Sequence, residues 1–282
     1  MPGKKQFMEL IEKKVRQTIR KHKLFTKKNK IGVAVSGGKD STSCLYILKK
    51  LGYEAEAIII DHGIGEYAKV NYNNTQKLCE NLEIKLNTLS FRQEFGKSLR
   101  AIKTKLKEEG YDYSYCMICG ILKRYLLNKA ARDFEYDTLV TGHNLDDESQ
   151  AFVMNVFRND FKLGARQGPA PGIVKNTKFI RRVKPLYFVA EEDLRKYSKY
   201  ANLPVNFDQC PYTKSSYRHD FKEMLNAFEK RNPSVKYNIV HFQANMKKHL
   251  NLSSIPDIGY CHHCGEPSSR KICKTCELIK KI

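Results

Sequence analysis

The feature that most constrains the fold of this chain is an alternation, from Ile31 to Arg158, of short apolar runs with segments of helical period. Ile31–Val35, Ala55–Ile60, Ile84–Leu89 and Thr138–Thr141 read as buried strands. Between and after them, Thr42–Leu51, Tyr67–Asn81, Gln93–Glu109, Met117–Phe134 and Asp146–Arg158 read as helices. Strands separated by helices need crossover connections, so the pattern predicts an α/β fold whose parallel sheet is covered on both faces. All carboxyl ends of such a sheet share one edge, and the loops that follow them are where a ligand binds.

The flanks differ in character. Residues 1–29 form a basic helical segment, with Met8, Ile11, Val15 and Ile19 at helical spacing. The sheet domain is expected over residues 30–215. It includes a Gly- and Pro-rich loop at Gly164–Lys178, a further strand at Val183–Tyr187 and a helix at Glu191–Tyr200. Residues 216–258 read as a helical region built from Phe221–Lys230 and Ser234–Leu250. Residues 259–282 hold a compact cysteine module.

Charge narrows the function classes. Fifty-one Lys and Arg against thirty Asp and Glu leave a net charge of +21, which points to a polyanionic partner, nucleic acid first. No apolar run approaches the roughly 18–20 residues needed to span a bilayer. The charged N-terminus, with Lys4, Lys5, Glu9 and Glu12, lacks a signal-peptide core, so no membrane role and a cytoplasmic location are expected. In a reducing compartment, nine cysteines with three C-x-x-C pairs among them speak for metal rather than disulfides.

Ser36-Gly37-Gly38-Lys39-Asp40-Ser41 lies between the first strand and the first helix. Glycines let backbone N–H groups turn toward a phosphate, the helix N-terminus adds partial positive charge, and Ser36, Ser41 and Lys39 add donors and a cation. It is not a Walker A loop, which needs glycine where Val33 stands and Ser or Thr where Asp40 stands. The string resembles instead the PP-loop, S-G-G-x-D-S, of ATP pyrophosphatases. The resemblance implies an adenine nucleotide α-hydrolase-like fold, ATP as cosubstrate, and adenylation of an acceptor with release of pyrophosphate. Two later loops, Asp61-His62-Gly63 and Gly142-His143-Asn144-Leu145-Asp146-Asp147, belong at the same sheet edge. The first is expected near adenine or ribose, the second near the phosphates or acceptor. Asp146 and Asp147 also suit helix capping.

Cys116 and Cys119 open a helix that continues through Gly120, Lys123 and Arg124, while Cys210 stands far along the chain before Pro211 and Tyr212. On its own the C-x-x-C fits a redox pair or half a zinc site. Taken with the PP-loop and the Gly142–Asp147 string, in this order, the motifs resemble tRNA thiolases of the TtuA-type and cytosolic 2-thiolation group, related to the TtcA 2-thiocytidine enzymes. The resemblance runs over roughly residues 30–278. It implies that Cys116, Cys119 and Cys210 hold a 4Fe–4S cluster with one iron free to bind sulfur, with Cys116 and Cys210 counted among the catalytic residues; the alternative has two of the cysteines carrying a persulfide and a disulfide, with no cluster. By the same resemblance Lys123 and Asp147 are catalytic side chains near the target base. The implied partners are tRNA and a sulfur donor, either a ubiquitin-like thiocarboxylate protein or sulfide, and family members are commonly homodimers.

Cys261-x-x-Cys264 and Cys273-x-x-Cys276 supply four thiolates on two knuckles, the donor set of a closed structural Zn²⁺ site. His262 and His263 allow a three-cysteine, one-histidine variant. Arg270, Lys271, Lys274 and Lys280 offer the module a basic face for tRNA. Many TtuA-type proteins carry a further Cys/His module before the PP-loop, whereas no cysteine precedes Cys44 here. Cys44 and Cys79 remain as buried small hydrophobes. The expected function is ATP-dependent formation of 2-thiouridine in tRNA, with Mg²⁺ on the phosphates. The alternatives are 2-thiocytidine synthesis, or a zinc-stapled RNA-binding protein with a regulatory nucleotide site.

Overall fold

The structure, a computed structural model, describes residues 3–171, 180–213, 216–248 and 259–282. Five strands form one parallel sheet: β1 (Ile31–Val35), β2 (Ala55–Asp61), β3 (Leu86–Ser90), β4 (Thr138–Thr141) and β5 (Arg181–Val183), in the order β3-β2-β1-β4-β5. Every pairing is parallel, and β1 lies between β2 and β4 with Val33 flanked by Ala57 and Val140. The order reverses between β1 and β4, so the loops after these two strands diverge and leave a crevice at their carboxyl ends.

Alternate residues serve opposite faces. Ile31, Val33, Val35 and Ala57 pack with the helices Lys4–Lys21, Lys39–Lys50, Gly65–Asn81 and Glu191–Tyr200. The N-terminal helix buries Phe7, Ile11, Val15 and Ile19 in that layer, with Met8 half-buried beside them. Ile58 and Ile60 turn the other way, Ile60 toward the helices Phe91–Phe95, Leu99–Glu108 and Tyr115–Asp133, Ile58 toward Ala130, Tyr136 and Leu139. Among the described residues, no helix is long and apolar enough to cross a membrane.

Three expectations shift. The helix expected over Gln93–Glu109 is two, because Gly96 takes a left-handed φ of 71° at the end of Phe91–Phe95 and Ser98 caps Leu99–Glu108 through the Ala101 N–H. The strand expected at Val183–Tyr187 ends at Val183; Pro185, which has no N–H for a ladder, follows in a turn. Gly164 lies inside a short helix, Phe161–Arg166, rather than opening a loop. Positions 172–179 of the expected loop, and the end of the helix expected at Ser234–Leu250, lie outside the described residues. The described part of that helix is Val235–Lys248, and Phe221–Lys230 is the middle of Tyr217–Arg231.

A small two-stranded ribbon, β6 (Gly259–Tyr260) with β7 (Pro267–Ser268), and the helix Lys274–Ile279 make up the C-terminal module. Leu278 is buried against the helix Tyr115–Asp133 side of the fold. The buried carboxylate of Glu266 accepts from Asn128 Nδ2 at 2.6 Å and pairs with Arg132 on that same helix.

Candidate active site

The crevice at the β1/β4 switch point is a cavity of about 550 Å³. Its walls bring together Ser36, Asp40, Ser41, Asp61, His62, Gly142, His143 and Asp147 from the strand-end loops. Cys116, Cys119 and Lys123 enter from the helix Tyr115–Asp133, and Cys210 from the segment before Tyr217–Arg231.

The PP-loop string is folded tightly enough to explain its glycines. Gly37 has φ of +75°, and a Cβ there would lie 2.6 Å from the backbone of Asn71. The helix begins at Lys39, within the string, so Gly38 is its N-cap. Ser36 N–H donates to Ser41 Oγ at 3.0 Å, and the two hydroxyl oxygens are 3.1 Å apart, which sets both at one end of the helix. Gly142 permits the second loop to close on the first: a Cβ there would meet Ser41 Cα at 2.7 Å. Asp61 Oδ1 accepts from Gly63 N–H at 2.7 Å and so shapes the first of the later loops.

Lys39 does not line the cavity. Its Nζ lies 2.7 Å from Glu191 Oε1 and 3.0 Å from Asp40 Oδ2, and Glu191 also takes Lys222 at 2.8 Å. Burial pushes the Glu191 carboxyl up, but Lys39 and Lys222 outweigh it and hold it down at about 2. Asp40 is pushed up to about 6 by burial, against the pull of Lys39 and with a further push from Asp147. Its Oδ1 is buried without a hydrogen-bond partner. Both histidines are neutral near pH 7: burial and then Lys123 bring His62 to about 3, and burial brings His143 to about 4 although Asp147 opposes it. His62 Nδ1 has no partner, whereas His143 Nδ1 is 2.8 Å from Thr141 Oγ1.

The adjacent aspartates part company. Asp146 is buried, accepts from Glu191 N–H at 2.7 Å and pairs with Lys236, which makes it a brace between helices. Asp147 forms a reciprocal capping box with Asn144, and its Oδ1 lies 3.3 Å from an Arg218 nitrogen while the residue faces the cavity.

Cys116 and Cys119 stand in the first turns of their helix, whose N-cap Ser114 accepts from Met117 N–H. Cys210 arrives because its segment is docked on the PP-loop: Asn206 N–H donates to Gly37 O at 3.0 Å and bridges Gly38 as a short parallel pair. The three thiols are near enough to interact. Burial and then Cys210 raise Cys116; burial raises Cys119, with Lys123 opposing.

The chain matches a family model described as PP-loop domain over residues 7–226. It is 36% identical to the tRNA-5-methyluridine(54) 2-sulfurtransferase of Pyrococcus horikoshii over 96% of this chain and 85% of that one. It is 30% identical to cytoplasmic tRNA 2-thiolation protein 1 of Drosophila erecta, over 98% and 80%. A solved structure of the U34-tRNA thiolase NcsA from Methanococcus maripaludis, with its [4Fe-4S] cluster, superposes with a TM-score of 0.83 at 29% identity, covering 99% of this chain and 89% of that one.

The chain belongs to the PP-loop family, in its tRNA 2-thiolation group.

In this tRNA 2-thiolation protein the C-terminal cysteines form a second, separate constellation. The ligand atoms of Cys261, Cys264, Cys273 and Cys276 all lie within 4.8 Å of one another, a four-cysteine metal site. Backbone N–H groups already point at the sulfurs, Cys273 N to Cys261 Sγ at 3.2 Å and Cys276 N to Cys273 Sγ at 3.4 Å. Burial raises Cys261, but N–H donors from Cys273, Cys264 and His263 outweigh it and bring the thiol to about 6. Cys44 and Cys79 are buried, and burial pushes them to about 12 and about 11, which keeps them as thiols.

Sequence reasoning missed Arg218 and Glu191. Neither stands at a motif spacing; each reaches its partner only through tertiary packing, 71 and 152 residues from Asp147 and Lys39 respectively.

Proposed function

We propose that this cavity carries out ATP-dependent 2-thiolation of a uridine in tRNA. The observation that carries the reading is the meeting, in one cavity, of the PP-loop, Asp147, Lys123 and three cysteines. The relatives named above act on different uridines, U54 and U34, and the proposal concerns the chemistry common to both.

The C2 carbonyl oxygen of uridine attacks the α-phosphate of ATP, forming a C–O–P bond and expelling pyrophosphate; sulfur then bonds to C2 and AMP leaves with the former carbonyl oxygen. The loop N–H groups, the hydroxyls of Ser36 and Ser41 and the helix N-terminus at Gly38 hold phosphate oxygens. Mg²⁺ accompanies them, and the buried, unpartnered Oδ1 of Asp40 is an oxygen suited to a hard cation. His62, neutral and with a free Nδ1, offers adenine or ribose a hydrogen-bonding partner without adding charge. Asp147, held by Asn144 and Arg218, accepts the N3 proton as the base becomes nucleophilic. Lys123, whose charge is felt by both His62 and Cys119, steadies negative charge as the oxygen leaves.

The three cavity thiols suit a cluster better than a single ion. Zn–S bonds of about 2.3 Å would draw all the sulfurs close together, as in the C-terminal module, and Cys116, Cys119 and Cys210 do not form such a tight group. A 4Fe–4S cluster on them would supply, when bound, an iron with a free position for the sulfur to be delivered. Lys123, Arg124 and Arg218 lie close enough to oppose the upward push of burial on these thiols. We assign Zn²⁺ to the C-terminal module on the chemistry of its four close thiolates. The donor is a ubiquitin-like thiocarboxylate protein or sulfide, the location the cytoplasm, and the assembly a homodimer. Exposed Val156, Phe157 and Phe242 provide apolar area for that last contact.

The test is AMP release from ATP, measured anaerobically with tRNA, sulfide and reconstituted protein, followed by nucleoside analysis. tRNA-dependent AMP together with 2-thiouridine supports the reading. tRNA binding without AMP leaves only an RNA-binding protein.

A further inference from the structure

Helices Leu99–Glu108 and Tyr115–Asp133 are joined by a connector that carries Tyr111 and Tyr113, and Tyr115 continues the alternate spacing at the first position of the second helix, beside Cys116. The rings of Tyr111 and Tyr113 are near-parallel, 9° apart in plane with centroids 5.9 Å apart. Tyr115 stacks on Tyr212 at 3.8 Å and 10°. Several ring pairs elsewhere in the molecule cross edge to face, as Phe25 with Tyr53 at 89° and Phe91 with Phe95 at 81°, which with offset stacking is one of the two geometries that ring packing favours. The connector instead lays flat faces side by side, and Tyr111 is 37% exposed.

Cations accompany these rings. Lys281 sits 3.8 Å from the Tyr111 ring centroid and its Nζ donates to the Tyr113 hydroxyl at 3.2 Å, so the last residues of the metal module are stitched to the connector. Lys97 Nζ donates to Ile282 O at 3.2 Å beside them. The opposing acid, Asp112, is matched by Lys103 at 2.6 Å. Tyr115 and Tyr212 line the cavity with Cys116 and Cys210, and Tyr113, Tyr115 and Tyr212 rest on one apolar cluster with Ile279 and Ile282.

We propose that Tyr111, Tyr113, Tyr115 and Tyr212, with Lys281, form a strip that stacks the unpaired RNA nucleotides beside the target base and leads that base to the cysteines. The inference rests on the proposed function for its substrate. Its chemistry is that of single-strand binding: every base has a π-face for a flat ring, and the cations meet the phosphates between bases. A target uridine must leave its stack before C2 can reach the cavity, and its neighbours then need new surfaces to lie against.

The test pairs Tyr111→Ala/Tyr113→Ala with Tyr111→Phe/Tyr113→Phe, neither residue lining the cavity. Anisotropy reads binding of tRNA and of an oligouridine of about eight nucleotides, with ATP affinity and melting temperature as controls. The alanine pair should bind both RNAs about tenfold more weakly with ATP affinity unchanged, and the phenylalanine pair should bind as the wild type does. Photocrosslinking of a 5-bromouridine oligomer to the wild-type protein should place adducts on Tyr111 or Tyr113, a readout that survives if the alanine pair misfolds. Unchanged RNA affinity in a folded alanine pair, or crosslinks confined to other surfaces, overturns the strip. Oligouridine binding needs no turnover, so a wild type that binds it at the strip yet makes no AMP would sink the thiolation reading and leave this inference standing.

Discussion

The two cysteine constellations are built on opposite plans. The C-terminal four come from a stretch of 16 residues, Cys261 to Cys276, closed by a two-residue ribbon, with N–H groups already turned to the sulfurs and ligand atoms within 4.8 Å. The cavity three come from two segments more than 90 residues apart. They meet only because Asn206 docks on Gly37 and the helix Tyr115–Asp133 faces the same crevice. A closed, locally built site holds a metal to fix structure; an open one, assembled at the edge of a sheet beside a nucleotide loop, exposes its metal to a substrate.

The comparison can be broken most forcefully at Cys210. Cys210→Ser should reduce thiolation by at least about a hundredfold and strip the iron, with zinc content and ATP binding kept; full activity would make the cavity cysteines ornamental. Cys264→Ser should act in the reverse sense. It loses zinc and lowers the melting temperature, destabilising the fold by about 3 kcal/mol, because the module anchors buried Glu266 and Leu278 on the helix that carries Cys116. Iron should still bind. A melting curve unchanged from wild type would deny the module its structural role.

A smaller effect concerns Asp40. Its folded pKa of about 6 lies above its ordinary value of 3.8, so the folded state holds the proton more tightly than the unfolded chain does. This group therefore favours the fold most below that ordinary value, and its contribution fades as pH rises through about 6. Magnesium-dependent ATP affinity should run the other way, falling as pH drops through about 6, because a protonated carboxyl is a poor ligand for a hard cation. Isothermal titration across that range, with Asp40→Asn as the flat control, reads it. The smallest effect should come from His262→Ala/His263→Ala. Both histidines are exposed while the four sulfurs form the close group, so zinc content should not change.

Legibility in the sequence followed the same division. The four-cysteine module, the PP-loop and the Gly142–Asp147 string could be read because each is a local arrangement whose spacing is its geometry. The sheet was legible because buried parallel strands are short apolar runs. Lys39 reads from the string as a cation for phosphate, yet its ammonium is drawn to Glu191, and nothing within a few residues of either signals the pair. Arg218 on Asp147 was hidden for the same reason. The break at Gly96 was available, since Gly96-Lys97-Ser98 holds a helix stop and an N-cap in sequence, but the surrounding helical period masked it.

The most direct test is metal analysis of anaerobically purified and reconstituted protein, wild type beside Cys210→Ser. The account predicts about four irons and one zinc per chain in the wild type and zinc alone in the variant. Zinc without iron in the reconstituted wild type, or iron retained undiminished by Cys210→Ser, would contradict it.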